Sequence, residues 1–510
     1  MLGLFYRSIF SHKDAKNTKK TLCGLRVFAG HLTFNLTIVI FGLLLTAPAF
    51  AQTGYEIKVT FKPFKNKYVY LGHYFGKQYP IIDSVKLNDK SEAVFKGAKK
   101  LPGGIYLVGY PGKTGFFEIL VDKQQRFSLT ADTATLYKGI QFTNSPDNVL
   151  FNSYQQYMSS KGREIAALQQ QLKTTTASAD STRIINELTK LDKTVADYRL
   201  GIIKKNPGTI LSALLITMKE PELTGVLKEP KTKNDSLAAY TFYKNHFWDG
   251  VNFWDGRLAY TTFFEEKIDK YFAQLVALQP DSIIREIDWM LGYASANEEM
   301  NRFLLIKFVN RYLVQKYMWE DMIFVHLFEK YFAHTTYSWL AEQGRKTITD
   351  RAYSLMANIM GAPASEIALP DTAGKTTSLY ALEAPYTIVA FWDPTCSHCK
   401  EVLPKLDSFY LAKWKAAGLK IYSVAKETDG TKKDWLSFIN ERHLQQWTNV
   451  YYSKADDKAR TSAAIPGYSQ LYDVQTFPTL YLLDNEKRIV AKKLSYQQID
   501  EVLQLKMKGQ

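Results

Sequence analysis

The spacing of apolar side chains changes twice along this chain of 510 residues, near Asn148 and again at Ala362-Pro363. That division limits what the chain can fold into, because periods of 2 and 3.6 residues bury different kinds of face. From residue 55 to 145 apolar and polar residues alternate, as in Tyr55-Glu-Ile-Lys-Val-Thr-Phe61, Tyr68 to His73 and Ala93 to Phe95. Turn signals at Asn88-Asp89, Pro102-Gly103-Gly104 and Pro111-Gly112 separate the runs. Short strands at such spacing predict a small antiparallel sandwich or barrel.

After Asn148 the spacing is helical: Phe151, Tyr154, Tyr157 and Met158, then Ile165, Leu168 and Leu172, then Ile184, Ile185, Leu188 and Leu191. A Thr/Ser-rich break falls near Thr174. Tyr240 to Met360 is apolar and aromatic, which predicts an all-helical region with a large buried surface. Its cluster of Phe242, Tyr243, Phe247, Trp248, Phe253 and Trp254 reads first as packing, with stacking on a sugar or peptide as the alternative. His246, His326 and His334 lack ligand-like spacing.

Past Ala362-Pro363 strands and helices alternate. Thr387 to Trp392 reads as a buried strand, and Val402, Leu403, Leu406, Phe409 and Tyr410 as the helix after it. A strand around Leu419 to Val424 and a helix around Trp435 to Arg442 come next. Strands Thr479 to Leu483 and Arg488 to Ala491, turned at Asp484-Asn485, precede a last helix near Ile499 to Leu505. This is α/β architecture. The expected organisation is multidomain: an all-β, sandwich-like domain over 52–145, an all-α domain over 146–360 and an α/β domain over 361–510.

Residues 1–51 read as a signal peptide. Arg7, Lys13, Lys16, Lys19, Lys20 and Arg26 form a basic start, Leu32 to Thr46 is uncharged and mostly apolar, and Ala49-Phe50-Ala51 supplies the cleavage site. The apolar run is short for a membrane span, which takes about 20 residues; an uncleaved anchor is the alternative. The formal net charge is +15, and removal of this segment takes away six basic residues and one acidic residue. No run of five Lys and Arg remains, so a mildly basic solvated surface is expected and nucleic-acid binding is not.

Three cysteines are present, and Cys23 leaves with the signal peptide. Cys396 and Cys399 remain, in Phe391-Trp-Asp-Pro-Thr-Cys396-Ser-His-Cys399-Lys400, between a predicted strand and a predicted helix. A helix N-terminus favours thiolate over thiol, so Cys396 is the expected nucleophile. Cys399, about one turn further on, is the expected resolving thiol. A structural zinc site needs four ligands, and the mature chain has no second cysteine pair. Haem attachment would need His where Lys400 stands. A structural disulfide would close a trivially short loop.

With Phe391-Trp392 before the motif, Cys-Ser-His-Cys itself, Pro404 after it and Thr476-Phe477-Pro478-Thr479 further on, residues 362–510 resemble a thioredoxin-fold domain of the TlpA/ResA type. Ile367 to Leu379 resembles that branch's N-terminal hairpin. The resemblance implies that Pro478 is cis and that Phe477 offers its backbone to a substrate strand. It also points to Thr476 and Trp392 as substrate-binding residues. The upstream regions resemble a multidomain exported family of Bacteroidetes, which implies a Gram-negative periplasm.

Two positions depart from the pattern. Ala390 stands where thioredoxins carry a buried Asp, and Val402 where ResA-type proteins carry Glu. Glu401 points about 100° away around the helix. Glu427 is one candidate replacement as proton acceptor and a bound water another; a solvated loop glutamate is the plainer reading of Glu427. Ser397 and His398 are expected to modulate the pair. A cationic His398 would stabilise the Cys396 thiolate and favour an oxidant, whereas the branch as a whole implies a reductase.

The expected activity is therefore protein thiol–disulfide exchange, reduction more than oxidation, with no cofactor and no metal. Expected partners are protein thiol or disulfide clients and a redox partner that resets the pair, an electron donor in the membrane being one candidate. The alternative is a binding module with the last domain as tether or redox sensor. Oligomeric state is left open.

Overall fold

The computed structural model describes residues 54–508, so the expected signal segment lies outside the described residues. The β region holds β1 (Tyr55–Lys62), β2 (Tyr68–His73), β3 (Ile81–Lys86), β4 (Glu92–Gly97), β5 (Gly104–Gly109), β6 (Phe116–Val121), β7 (Arg126–Asp132) and β8 (Gln141–Thr143). They make two four-stranded sheets, ordered β4-β1-β7-β8 and β3-β2-β5-β6. Ile57, Val59 and Phe61 of β1 share a buried core with Tyr106 and Val108 of β5 and Leu129 of β7. The expected all-antiparallel pairing is corrected at one place. β1 and β7 run parallel, from Glu56 opposite Arg126 to Lys62 opposite Asp132. The chain changes sheets between β6 and β7, so β7 arrives beside β1 from the other layer rather than from a hairpin.

The helical region contains α1 (Pro146–Thr174), α2 (Ser178–Lys205), α3 (Ile210–Thr217), α4 (Lys233–His246), α5 (Thr262–Gln274), α6 (Pro280–Ala294), α7 (Glu298–Leu313), α8 (Asp321–Leu327) and α9 (Glu342–Met356). Pro146 opens α1 at a position where a missing N–H costs nothing. Thr232 and Asp235 close a capping box at the start of α4. The helices do not build a core of their own. Ile105, Leu107 and Leu120 of the second sheet belong to the same buried cluster as Phe264, Ile268 and Leu304. Asn148 of α1 reinforces the join, accepting from the Leu120 N–H at 2.8 Å and donating to its carbonyl at 2.7 Å. Phe247 and Phe253 are buried in this cluster, so the aromatic run is packing; Trp254 alone of its six residues is an exposed large side chain.

The last region holds β9 (Ala368–Pro370), β10 (Thr376–Ser378), β11 (Tyr386–Trp392), α10 (Ser397–Phe409), β12 (Lys420–Lys426), α11 (Lys432–Glu441), β13 (Thr448–Tyr452), α12 (Lys454–Ser462), α13 (Tyr468–Leu471), β14 (Thr479–Asp484), β15 (Ile489–Lys492) and α14 (Tyr496–Lys508). Its sheet runs β13-β12-β11-β14-β15. Central β11 is parallel to β12 and antiparallel to β14. Both faces of β11 are covered: Ile388, Ala390 and Trp392 pack with Leu403 and Leu406 of α10, while Val389 and Phe391 pack with Tyr422 and Tyr481.

The helical region meets this α/β domain through polar groups. Lys492, at the end of β15, ion-pairs with Asp321 at the start of α8. It also donates to the carbonyl and the side-chain oxygen of Asn358, both at 2.6 Å. Burial works against both charges, pushing the Lys492 ammonium down and the Asp321 carboxyl up from their ordinary values. A second clamp lies alongside: Asp473 receives Arg351 of α9 at 2.5 Å and also Lys493. Ser354 donates to the Gln470 carbonyl at 3.1 Å.

Candidate active site

The buried strand β11 stops at Trp392, and Asp393-Pro394-Thr395 turns the chain into α10. Cys396 is the N-cap of that helix: its sulfur accepts the N–H of Cys399 at 3.4 Å and its carbonyl accepts the N–H of Lys400 at 3.1 Å. An anion at such a position gains about 0.3–1 kcal/mol from the helix end. Both cysteines are free thiols, Cys396 half-buried and Cys399 fully buried. Burial pushes the Cys399 thiol well above its ordinary value. A hydrogen bond from the Asp393 backbone opposes this shift, while the Cys396 sulfur and the Asp393 charge add to it. Cys396 is thus the accessible sulfur and Cys399 the enclosed one.

The Phe477–Pro478 peptide is cis and brings its loop against the motif. The Cys396 thiol donates to the Phe477 carbonyl at 3.8 Å. Thr476 is exposed, and its carbonyl accepts the Thr479 hydroxyl at 2.6 Å. Ser397 and His398 are exposed in the first turn of α10. Cys396, Cys399, Phe477 and Pro478 therefore form one site, with His398 and Thr476 at its edge.

Trp392 is not at that surface. It is 0% exposed, donates from its indole to the Ser423 hydroxyl at 2.8 Å and packs on Phe438. The expectation that it binds substrate is corrected: a central strand covered on both faces turns the residue into the floor of the site. Glu427 accepts the backbone N–H of Lys454 at 3.0 Å, at the start of α12. Its carboxylate is engaged there, in holding a helix start.

The acid that sequence reasoning passed over is Asp393. It is 2% exposed, and its Oδ1 accepts from the Thr395 N–H at 2.7 Å and hydroxyl at 2.5 Å. Its Oδ2 is buried with no hydrogen-bond partner among the described residues. The signal was present in the sequence, since an Asp directly follows an apolar strand and precedes the first cysteine by three positions. Among the described residues no group of three His, Cys, Asp or Glu side chains could hold a metal ion, and no helix is long and apolar enough to cross a membrane.

Residues 360–492 match the AhpC/TSA family, and residues 177–357 match a domain of unknown function, DUF5106. No curated protein matches the chain. Among solved structures it is similar to a domain of a possible thiol-disulfide isomerase from Cytophaga hutchinsonii, at 32% identity over 30% of this chain and 95% of that one (TM-score 0.26). It is similar to the thioredoxin domain of a thiol-disulfide oxidoreductase from Bacteroides vulgatus, at 32% identity over 28% of this chain and 96% of that one (TM-score 0.24). A thiol:disulfide interchange protein from a Bacteroides species is 31% identical over 29% of this chain and 91% of that one (TM-score 0.25). The domain that carries Cys396 and Cys399 therefore belongs to the AhpC/TSA family, a thioredoxin-like domain that follows a helical region of the DUF5106 type.

Proposed function

We propose that the chain is an exported, periplasmic oxidoreductase that reduces disulfides of client proteins through Cys396 and Cys399. The observation that carries this reading is the pairing of a half-buried sulfur at the N-cap of α10 with an enclosed one beside a buried carboxylate. The Cys396 thiolate attacks one sulfur of a client disulfide and releases the other as a thiolate, which takes a proton. Asp393 accepts the proton of Cys399, and the Cys399 thiolate attacks the Cys396 sulfur. The client's second sulfur leaves with both electrons, and the chain is left with a Cys396–Cys399 disulfide. A dithiol donor must then return two electrons and two protons, and a membrane electron donor fits that role.

Two features support reduction over oxidation. His398 is exposed, where solvent and salt screen any electrostatic influence on the pair. Cys399 sits in an environment that disfavours its thiolate, and a dithiol lacking thiolate stabilisation is the stronger reductant. Export rests on the basic, apolar and A-x-A parts of residues 1–51.

The test is the reduction potential against glutathione, with Cys396→Ala as the control. A value below about −230 mV supports the reductase, and one near −120 mV reverses the direction. The absence of a dithiol couple overturns the redox reading and leaves the binding module.

A further inference from the structure

Beside the redox site, the helical region and the α/β domain enclose a cleft of about 670 Å³. One wall is α10 and the cis-proline loop, through His398, Val402, Lys405, Thr476 and Pro478. The other is the segment Val314 to Met318, between α7 and α8. We propose that this cleft binds an acidic stretch of the client polypeptide next to its disulfide. The assignment rests on the thiol–disulfide reading above and names the class of client that the site takes.

The walls are fixed in place before any client arrives. Lys492 with Asp321 and Asn358, and Asp473 with Arg351 and Lys493, tie them together at the back of the cleft. Arg351 also donates to the Leu313 carbonyl at 3.1 Å and to the Gln315 side chain, which holds the Val314 to Met318 segment upright. A preformed site of this size lies in the usual range for ligand clefts, about 300–1,000 Å³.

Charge selects the occupant. Five basic residues line the cleft (Lys316, Arg351, Lys405, Lys492, Lys493) against two acids, Asp321 and Asp473. Both acids are at most 4% exposed and are consumed by the clamps. Lys316 and Lys405 are exposed and have no carboxylate partner among the described residues, so the open face of the cleft is cationic. Apolar surface is interleaved with them. Val314 is 77% exposed, and Tyr317 is stacked on Trp319 at 5.3 Å with an interplanar angle of 6°. A client segment with Asp or Glu interspersed with apolar side chains meets both features. Its cysteine then falls against Cys396, since His398 and Pro478 belong to cleft and redox site alike.

The test uses the full chain and three matched peptides, each with one intramolecular disulfide flanked by Glu, Ser or Lys. The acidic peptide is expected to show a kcat/KM about tenfold above the basic one at low salt, with the gap closing as salt rises. Lys316→Glu combined with Lys405→Glu is expected to reverse that order. Calorimetric binding of the same peptides with serine in place of cysteine reads the cleft without the chemistry, and the same ranking is expected. Equal binding of the acidic and basic peptides, or an order that survives the double variant, overturns the proposal. Wild-type failure to reduce the Ser-flanked peptide, with the binding order intact, overturns the redox reading instead and leaves the cleft assigned.

Discussion

Two sets of buried carboxylates, one at the joint between the helical region and the α/β domain and one under the redox site, are treated in opposite ways. At the joint with the helical region, Asp321 and Asp473 are saturated with cationic and amide partners. Under the redox site, Asp393 keeps one oxygen without any hydrogen-bond partner among the described residues. Leaving a buried acceptor unpaired is destabilising, so such a group beside a reactive cysteine pair calls for an explanation. The difference separates carboxylates held by several partners from one with an unpaired oxygen, the one to which the proposed mechanism assigns the Cys399 proton.

The contrast can be broken most forcefully at the joint. Asp321→Ala leaves Lys492 buried without its counter-charge and is expected to cost about 3–5 kcal/mol, read by urea unfolding. Asp393→Asn is expected to act on rate. Release of client from the mixed disulfide should slow about 100-fold, equivalent to about 2.7 kcal/mol of barrier, with unfolding stability nearly unchanged. The pH profile sharpens this. Losing the Asp393 charge removes one of the causes that raise the Cys399 thiol, so its titration midpoint moves down while the rate falls. A lower midpoint with an unchanged rate would reduce Asp393 to an electrostatic neighbour.

Acid probes the second clamp with a smaller effect. Burial acts to raise the Asp473 carboxyl, but Arg351 and Lys493 outweigh it and hold the group below its ordinary value. Its contribution to stability is therefore complete above the unfolded value of about 3.9 and is lost as pH falls through the lower folded value. Small-angle scattering should show the joint loosening below that range, and Asp473→Asn should show the loosened joint at neutral pH. A smaller loss than for Asp321→Ala is expected from replacing both charges of the first clamp, Asp321→Leu with Lys492→Met, because no unpaired charge is left buried although Asn358 loses its donor. Client discrimination in that variant would then tell whether the charges set the angle of the cleft walls.

Period and motif made much of the architecture legible. The strand region over residues 55–145, helical spacing after Asn148 and the buried run into Cys396 each correspond to elements in the structure. What stayed hidden depended on partners distant in sequence. The parallel β1–β7 pair joins residues about 70 apart, and a local alternation carries no sign of strand direction. β13 was not anticipated, although Asn449-Val-Tyr-Tyr452 is strand-prone, because polar residues surround so short a run. Trp392 was misread as a contact residue since its place in a motif says nothing about which face the sheet covers. Lys492 and Asp321, 171 positions apart, look in the sequence like two solvated charges. The acceptor was sought at family positions, Ala390 and Val402, and so Asp393 was missed between them.

The hydrogen bond from the Cys399 amide to the Cys396 sulfur has one more consequence. It sets a backbone proton on the atom that gains and loses electrons. A thiolate accepts such a bond strongly, and a sulfur already bonded to another sulfur accepts it weakly. The resonance of that single amide and its rate of exchange with deuterium should follow the oxidation state of the pair. The first turn of α10 is a built-in gauge, readable by NMR in the intact protein without a label at the reacting sulfur.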